Sequence, residues 1–133
     1  MKSVFKLSLM LFAFLMISCE SKEKEIEKLK SETIAVHDEV MPKMDDIMKL
    51  KKSLRAKEDS VSSHDSTKIK GLILSLEKSD KVMMNWMRNY DPQMEGMSDE
   101  EKIEYLKQQK SSIQEVSEQM RSSISEAEAY LNQ

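Results

Sequence analysis

An apolar side chain recurs at almost every seventh position through the first half of the chain, from Ile26 to Val61. A second apolar row lies three residues after several of its members, which is the a/d spacing of helices that pack on other helices. This spacing predicts one long helix over about residues 24–57. The two rows contain Ile26, Leu29, Thr33, Val36, Val40, Ile47, Leu50, Leu54 and Val61.

A further row of side chains steps by three and four residues along the adjoining face of this helix. It widens the apolar face beyond what one partner helix covers, so we expect contacts with two partners. Pro42 lies among them, and a proline inside a helix removes a backbone donor at a cost of about 3 kcal/mol. We therefore expect a kink near residues 38–42, with a complete break as the alternative. The further row contains Ile34, His37, Met41, Met44 and Met48.

Polar residues then separate this helix from the next. The stretch over residues 55–66 predicts a loop, with Asp65 or Ser66 as the N-cap of a second helix over about residues 67–89. A second loop is expected around Pro92, because proline disfavours helix at the residue before it.

The strongest local boundary signal comes after this loop. Ser98 and Glu101 have the spacing of a capping box, in which each residue satisfies a backbone donor of the other. This predicts a third helix that continues to about residue 131. Three amphipathic helices with short connections predict an all-α fold, an antiparallel three-helix bundle with coiled-coil-like heptads over residues 26–133.

The start of the chain has the order of a secretory signal peptide. Lys2 and Lys6 are followed by an apolar run over residues 7–17 and by the small residue Ser18. The apolar run is too short to span a bilayer, which takes roughly 20 apolar residues as a helix. We expect residues 1–18 to be a cleaved signal peptide.

The residue that follows is the only cysteine of the chain, so Cys19 has no intramolecular disulfide partner. Ile17, Ser18 and Cys19 resemble the lipobox of bacterial lipoproteins, although Met16 stands where that pattern usually has Leu. The resemblance implies that a diacylglycerol is attached to the Cys19 thiol, with cleavage before it and acylation of the new amino group. It implies a lipid-anchored protein of the cell envelope, on the periplasmic or the surface face of the outer membrane, with residues 19–25 as a charged tether.

Composition narrows the class of partner. Removal of residues 1–18 takes Lys2 and Lys6 from the 21 basic residues, which leaves 19 against 24 acidic ones, a net charge of −5. A nucleic-acid partner calls for a basic patch or stripe, so we expect none. We also expect no enzyme. Catalysis needs a positioned base beside an activated nucleophile, whereas His37 and His64 belong to no recognisable motif.

One group of side chains has the composition of a soft metal site. His37, Met41, Met44 and Met48 share a helix face, and an antiparallel second helix would bring Met83 and Met87 towards it. Thioether and imidazole ligands suit Cu(I), and Trp86 would add a cation–π contact. Two alternatives stay open. Methionines at helical spacing also fill cores, and they also line grooves that bind a partner helix or peptide.

Two segments carry a further resemblance. Residues 37–44 (HDEVMPKM), followed by Ile47 and Leu50-Lys51, and residues 86–92 (WMRNYDP) resemble a group of small helical lipoproteins of Bacteroidota that are often labelled "viral A-type inclusion protein". The resemblance implies the location and the helical fold, and it implies no established activity or cofactor. The expected function is a non-catalytic binding or structural module, with an envelope protein or peptide as partner. The alternative is a Cu(I)-binding or copper-buffering lipoprotein.

Overall fold

The computed structural model describes the backbone of residues 2–133 and the side chains of residues 21–133. Four helices account for almost all of the described chain: α1 (Lys2–Val40), α2 (Lys43–Glu58), α3 (Ser63–Asn89) and α4 (Asp99–Leu131). The all-α prediction is confirmed over these residues. The predicted signal peptide (residues 1–18) and the predicted lipidation of Cys19 concern residues whose side chains are not described. Both stay predictions. No helix among the described residues is long and apolar enough to cross a membrane.

The helices α1 and α2 are two parts of one long helix that bends at Met41 and Pro42. The amide of Met41 still donates to the His37 carbonyl at 2.8 Å, in the helical pattern. Beyond the proline, Met44 donates to Met41 and Asp45 to Pro42, each three residues back. The predicted kink is confirmed. It forms because Pro42 has no N–H to donate, and the amides of Met44 and Asp45 make hydrogen bonds to the third residue back instead of the fourth.

The turn between α2 and α3 is shorter than the sequence predicts. Helix α2 continues through the polar residues to Glu58, and α3 already begins at Ser63. Its N-cap is Ser62, whose hydroxyl accepts the Asp65 amide at 3.3 Å. The prediction of Asp65 or Ser66 as N-cap was therefore wrong. An N-cap side chain accepts a hydrogen bond from the amide two or three residues ahead. Because α3 begins at Ser63, that amide belongs to Asp65 and the residue that accepts its hydrogen bond is Ser62.

The directions of the helices follow from the ion pairs and hydrogen bonds between them. Glu25, Glu32 and Glu39 of α1 pair in that order with Lys107, Lys110 and Arg121 of α4, so α1 and α4 run parallel. In α3, Glu77 pairs with Lys51 and Arg55, and Lys70 pairs with Glu58, so α3 runs antiparallel to α2. The bundle is therefore up, down and up, with α4 touching every other helix.

The main core lies where three helices run side by side. Five members of the seven-residue series are buried, which confirms that this row faces inwards. Thr33 is among them, and its hydroxyl donates to the Leu29 carbonyl at 2.8 Å, so this buried polar group is satisfied. The most deeply buried apolar residues of the main core are Val40, Ile47, Leu54, Ile69, Leu76, Met83, Ile113, Met120 and Ala127.

A smaller core closes the other end of the bundle. Helix α3 ends at Asn89, and α1 continues below that level with α4 as its only helical neighbour. The connection between α3 and α4 folds under this gap and places Met94 against Ile26, Leu29 and Leu106. Met94 adopts a left-handed backbone, with φ of 50°, and its side chain is 4% exposed. We interpret the burial of this side chain as offsetting the unfavourable backbone conformation.

Both halves of the predicted capping box are present at the start of α4. Glu101 N–H donates to Ser98 Oγ at 3.4 Å, and Ser98 N–H donates to Glu101 Oε2 at 2.7 Å.

We expect Ser98→Ala to lower the free energy of unfolding by about 1 kcal/mol, measured by urea denaturation. Ser111→Ala is the matched control, since Ser111 is exposed in mid-helix and caps nothing. An equal loss in both variants would contradict this role for the cap.

Stability should also fall in acid. The hydrogen bonds from Ser98 hold the pKa of Glu101 below its ordinary value of 4.5, and Lys110 does the same for Glu32. The unfolded chain then binds more protons, so this stabilisation is present above about pH 4.5 and is lost as the pH falls through the folded pKa. We expect Glu101→Gln to show a smaller loss of unfolding free energy than the parent between about pH 6 and about pH 3.5. An identical loss would contradict the assignment.

Candidate functional site: an aromatic stack beside the helix bend

Four aromatic rings from three separate segments stack beside the bend. His37 stacks with Trp86 at 5.7 Å between ring centroids, Trp86 with Tyr90 at 4.9 Å, and Tyr90 with Tyr105 at 6.4 Å. The ring planes are within 28° of parallel. Stacked pairs of this kind add stabilisation beyond the area that they bury. The stack therefore links the end of α1, the end of α3 and the start of α4.

His37 is the ring of this stack that lies nearest the bend. Its side chain is 21% exposed, and Nδ1 lies 2.9 Å from the carboxylate of Asp38. A carboxylate on one ring nitrogen fixes the orientation of an imidazole and influences which nitrogen carries the proton. His37 is thus oriented by two neighbours, the Asp38 carboxylate and the Trp86 ring.

Two polar atoms in the middle of the stack have no hydrogen-bond partner among the described residues. They are Nε1 of Trp86 and the hydroxyl oxygen of Tyr90, and both are buried. Burial raises the pKa of Tyr90, and the neighbouring Tyr105 and Asp91 raise it further. A buried polar group without a partner costs about 1–3 kcal/mol. This region is consequently less stable than its aromatic content alone would make it.

Tyr105 differs from Tyr90 because its hydroxyl is satisfied. It accepts the backbone amide of Asp91 at 2.7 Å, and Asp91 in turn accepts the Gln93 amide at 2.9 Å. These two bonds fix the course of the connection just after α3 ends. Tyr105 was not singled out from the sequence, because the only signal for it was an aromatic residue within a polar part of α4.

The methionines of the predicted metal group lie in different environments. Met83 is fully buried in the main core, and Met44 and Met87 are partly buried against it. Met41 and Met48 are 37% and 60% exposed. The row that contains His37, Met41, Met44 and Met48 is therefore not uniformly buried, and Met44 and Met48 differ although both lie in α2.

Met48 lies in a separate groove on the outer surface of α2. This groove has a volume of about 400 Å³ and is lined by Met48 and by the stems of Lys49, Lys51, Lys52 and Arg55. The cationic heads of these side chains make it a poor environment for a metal cation. Of the predicted group, Met41 lies at the bend itself and His37 lies one turn before it, whereas Met44 and Met87 pack against the main core.

The prediction of a Cu(I) site stays a prediction. Among the residues with described side chains, no three His, Cys, Asp or Glu residues form a group that would hold a metal ion. Thioether ligands are outside that set, so this finding does not bear on Cu(I). The predicted cation–π contact of Trp86 with a bound metal is likewise untested, and in the structure Trp86 stacks with His37 and Tyr90.

A groove between α3 and α4 borders the aromatic stack. Its volume is about 350 Å³. Trp86, Val82 and Val116 give it apolar surface. Four amide side chains also line it, and amides both donate and accept hydrogen bonds. Its amide residues are Asn85, Asn89, Gln109 and Gln119.

Comparison of the chain with protein families, curated proteins and solved structures finds no match.

The two stacked tyrosines allow a matched test of this site. Tyr90→Phe removes a buried hydroxyl that has no partner, so we expect unfolding free energy to stay unchanged or to rise, by up to about 1–3 kcal/mol. Tyr105→Phe makes the same chemical change but removes the acceptor for Asp91 N–H, so we expect a loss of about 1 kcal/mol. Urea denaturation of both variants measures the difference. Equal effects with the same sign would contradict the assigned hydrogen bonding.

Proposed function

We propose that this protein is a lipid-anchored helical protein of the cell envelope that acts as a non-catalytic binding or structural module. The observation that carries the proposal is the closeness of the predicted anchor to the rigid bundle. Ile26, only seven residues after Cys19, is already buried against α4 and the Met94 connection. A lipid on Cys19 would therefore hold the bundle by a short tether and present it outside the bilayer.

The surface of the bundle supports a binding or structural role. Among the described residues, four large apolar side chains are exposed: Met41, Met48, Leu74 and Met84. All four lie on the bend, on α2 or on α3, and none lies on α1 or α4. Three of the four are methionines, whose flexible side chains adapt to different partner surfaces. The envelope partner expected from the sequence would meet this side of the bundle.

Attachment at the membrane would place that side well away from the lipid. Met48 lies 29 residues after Cys19, which corresponds to roughly 40 Å along a helix that rises 1.5 Å per residue. More than one acyl chain is needed for stable attachment, because a single chain binds a membrane only reversibly. The two acylation events that the lipobox resemblance implies would meet this requirement.

Metabolic labelling tests the anchor directly. The full chain is expressed in a diderm bacterial host with radiolabelled palmitate, and incorporation is followed by gel electrophoresis. We expect label in the parent chain, none in Cys19→Ser, and label retained in Ser18→Ala, which keeps a small residue before the cysteine. Incorporation that survives Cys19→Ser would contradict the lipobox assignment, since Cys19 is the only thiol.

A further inference from the structure

The outward row of α3 carries charge of one sign. Every Lys, Arg, Asp or Glu side chain that is fully exposed on this helix is a cation, whereas its acids are only partly exposed. Leu74 stands in the same row and is 67% exposed. The exposed cations are Lys68, Lys70, Lys78, Lys81 and Arg88.

Of these cations, only Lys70 has an ion-pair partner among the described residues. Lys70 pairs with Glu58 at 3.4 Å, and Lys68 lies over the Tyr130 ring at 5.1 Å. Lys78 and Lys81 have no ion-pair partner among residues 21–133. Two acids stand beside them in the sequence. Glu77 turns towards α2, where it pairs with cations of that helix, and Asp80 is only partly exposed. The centre of α3 is therefore a positive surface with an exposed leucine beside it.

The outward row of α4 carries the opposite sign. Its fully exposed cations, Lys107 and Arg121, are both paired with acids of α1. Glu115 and Glu118 are exposed and have no partner among the described residues. Small residues lie in the same row, at Ser111, Ser122 and Ser125, and they leave room for an apolar side chain from outside.

The two rows lie at the same level of the bundle. Ser79 Oγ donates to the Gln119 carbonyl at 3.3 Å and lies 2.8 Å from Ser123 Oγ, so Ser79 is level with about residue 121 of α4. The helices run antiparallel and each rises 1.5 Å per residue. Lys81 is therefore level with about residue 119, beside Glu118, and Leu74 is level with about residue 126, beside Ser125, by the same 1.5 Å rise.

We propose that the outward row of α3 docks against the outward row of α4 on a second copy of this chain, with both copies standing in the same direction. This inference rests on the proposed function, because a lipid on Cys19 would hold neighbouring copies upright and at one height above the membrane. At equal height, Lys81 of one copy is level with about residue 119 of the next and Lys78 with about residue 122. Both lysines therefore lie within about one helical turn of Glu118, and Lys81 also lies within about one turn of Glu115. Leu74 faces the small residues of the same row.

The contact joins two different surfaces, so it is heterologous and repeats from copy to copy. The outward rows of two helices in a three-helix bundle point in different directions, which lets each copy bind one neighbour through α3 and another through α4. Exposed ion pairs are individually weak. Attachment to a membrane compensates for this, because it raises the effective concentration of neighbouring copies.

The first experiment uses the lipidated chain in phosphatidylcholine vesicles. Equal amounts of ¹⁴N and ¹⁵N protein are mixed, treated with a zero-length carbodiimide that joins lysines to carboxylates, and digested for mass spectrometry. We expect mixed-isotope peptides that join Lys78 or Lys81 to Glu115 or Glu118. Peptides of a single isotope only would show contacts within one copy and would overturn the proposal. Failure of the protein to float with vesicles would overturn the lipid anchor instead.

Charge reversal with rescue is the second experiment. Energy transfer is measured between donor and acceptor copies labelled at Gln133→Cys, the only free thiol once Cys19 is lipidated. We expect transfer to fall to the level of randomly placed copies in Lys78→Glu with Lys81→Glu, and again in Glu115→Lys with Glu118→Lys. Combining all four changes should restore it. Lys49→Glu with Lys52→Glu is the matched control, since it changes the same charge on α2 and should leave transfer unchanged.

Three outcomes would overturn the proposal. One is no rescue in the fourfold variant, and another is an equal loss of transfer in the α2 control. The third is lysine-dependent binding to vesicles that contain phosphatidylglycerol, without any mixed-isotope cross-link. That third result would identify an anionic bilayer as the surface that α3 meets.

Discussion

Helix α4 is the element on which the rest of the fold depends, because it touches every other helix. One face of α4 supplies Leu106 to the small core and Ile113, Met120 and Ala127 to the main core. The two cores have no other helix in common apart from the long first helix. Changes along the buried face of α4 would therefore reach both cores, whereas changes in α3 would act on the main core alone.

The bend at Pro42 and the end of α3 are related constraints. Below the end of α3, α1 packs against α4 and the Met94 connection, whereas above the bend α2 packs against both α3 and α4. The rings of His37, Trp86, Tyr90 and Tyr105 lie at the level where α3 ends and the bundle changes from three packed helices to two. Flat side chains suit such a change in packing, because they cover a wide area in a thin layer. The aromatic stack is thus a structural junction as well as the border of the amide-lined groove.

Those parts of the fold that depend on local signals could be predicted from the sequence. The seven-residue series fixes which face of the first helix is buried, Pro42 locates the bend, and Ser98 with Glu101 fixes the start of α4. The start of α3 could not be fixed in the same way. Ser62, Asp65 and Ser66 are all good N-caps, and only the geometry of the turn decides among them.

Features that join distant segments could not be predicted. Ser79 interrupts the apolar stripe of α3, and its partner Ser123 lies 44 residues away, so the sequence gives no sign that the two hydroxyls meet in the core. The aromatic stack likewise combines residues from three segments. The burial of the methionine row could not be predicted either, because the exposure of Met41 and Met48 depends on which side of the helix its neighbours cover.

The parallel course of α1 and α4 would have a mechanical consequence if a lipid on Cys19 held the chain, as proposed. A pull on α1 along its axis acts on the pairs of Glu25, Glu32 and Glu39 with α4 at the same time. The same pull continues through the bend into α2, whose buried residues Ile47 and Leu54 lie deep in the main core. The load is therefore shared in shear over the length of the bundle, which resists force better than opening one contact after another. A slender two-helix base can in this way support the wider three-helix part above it.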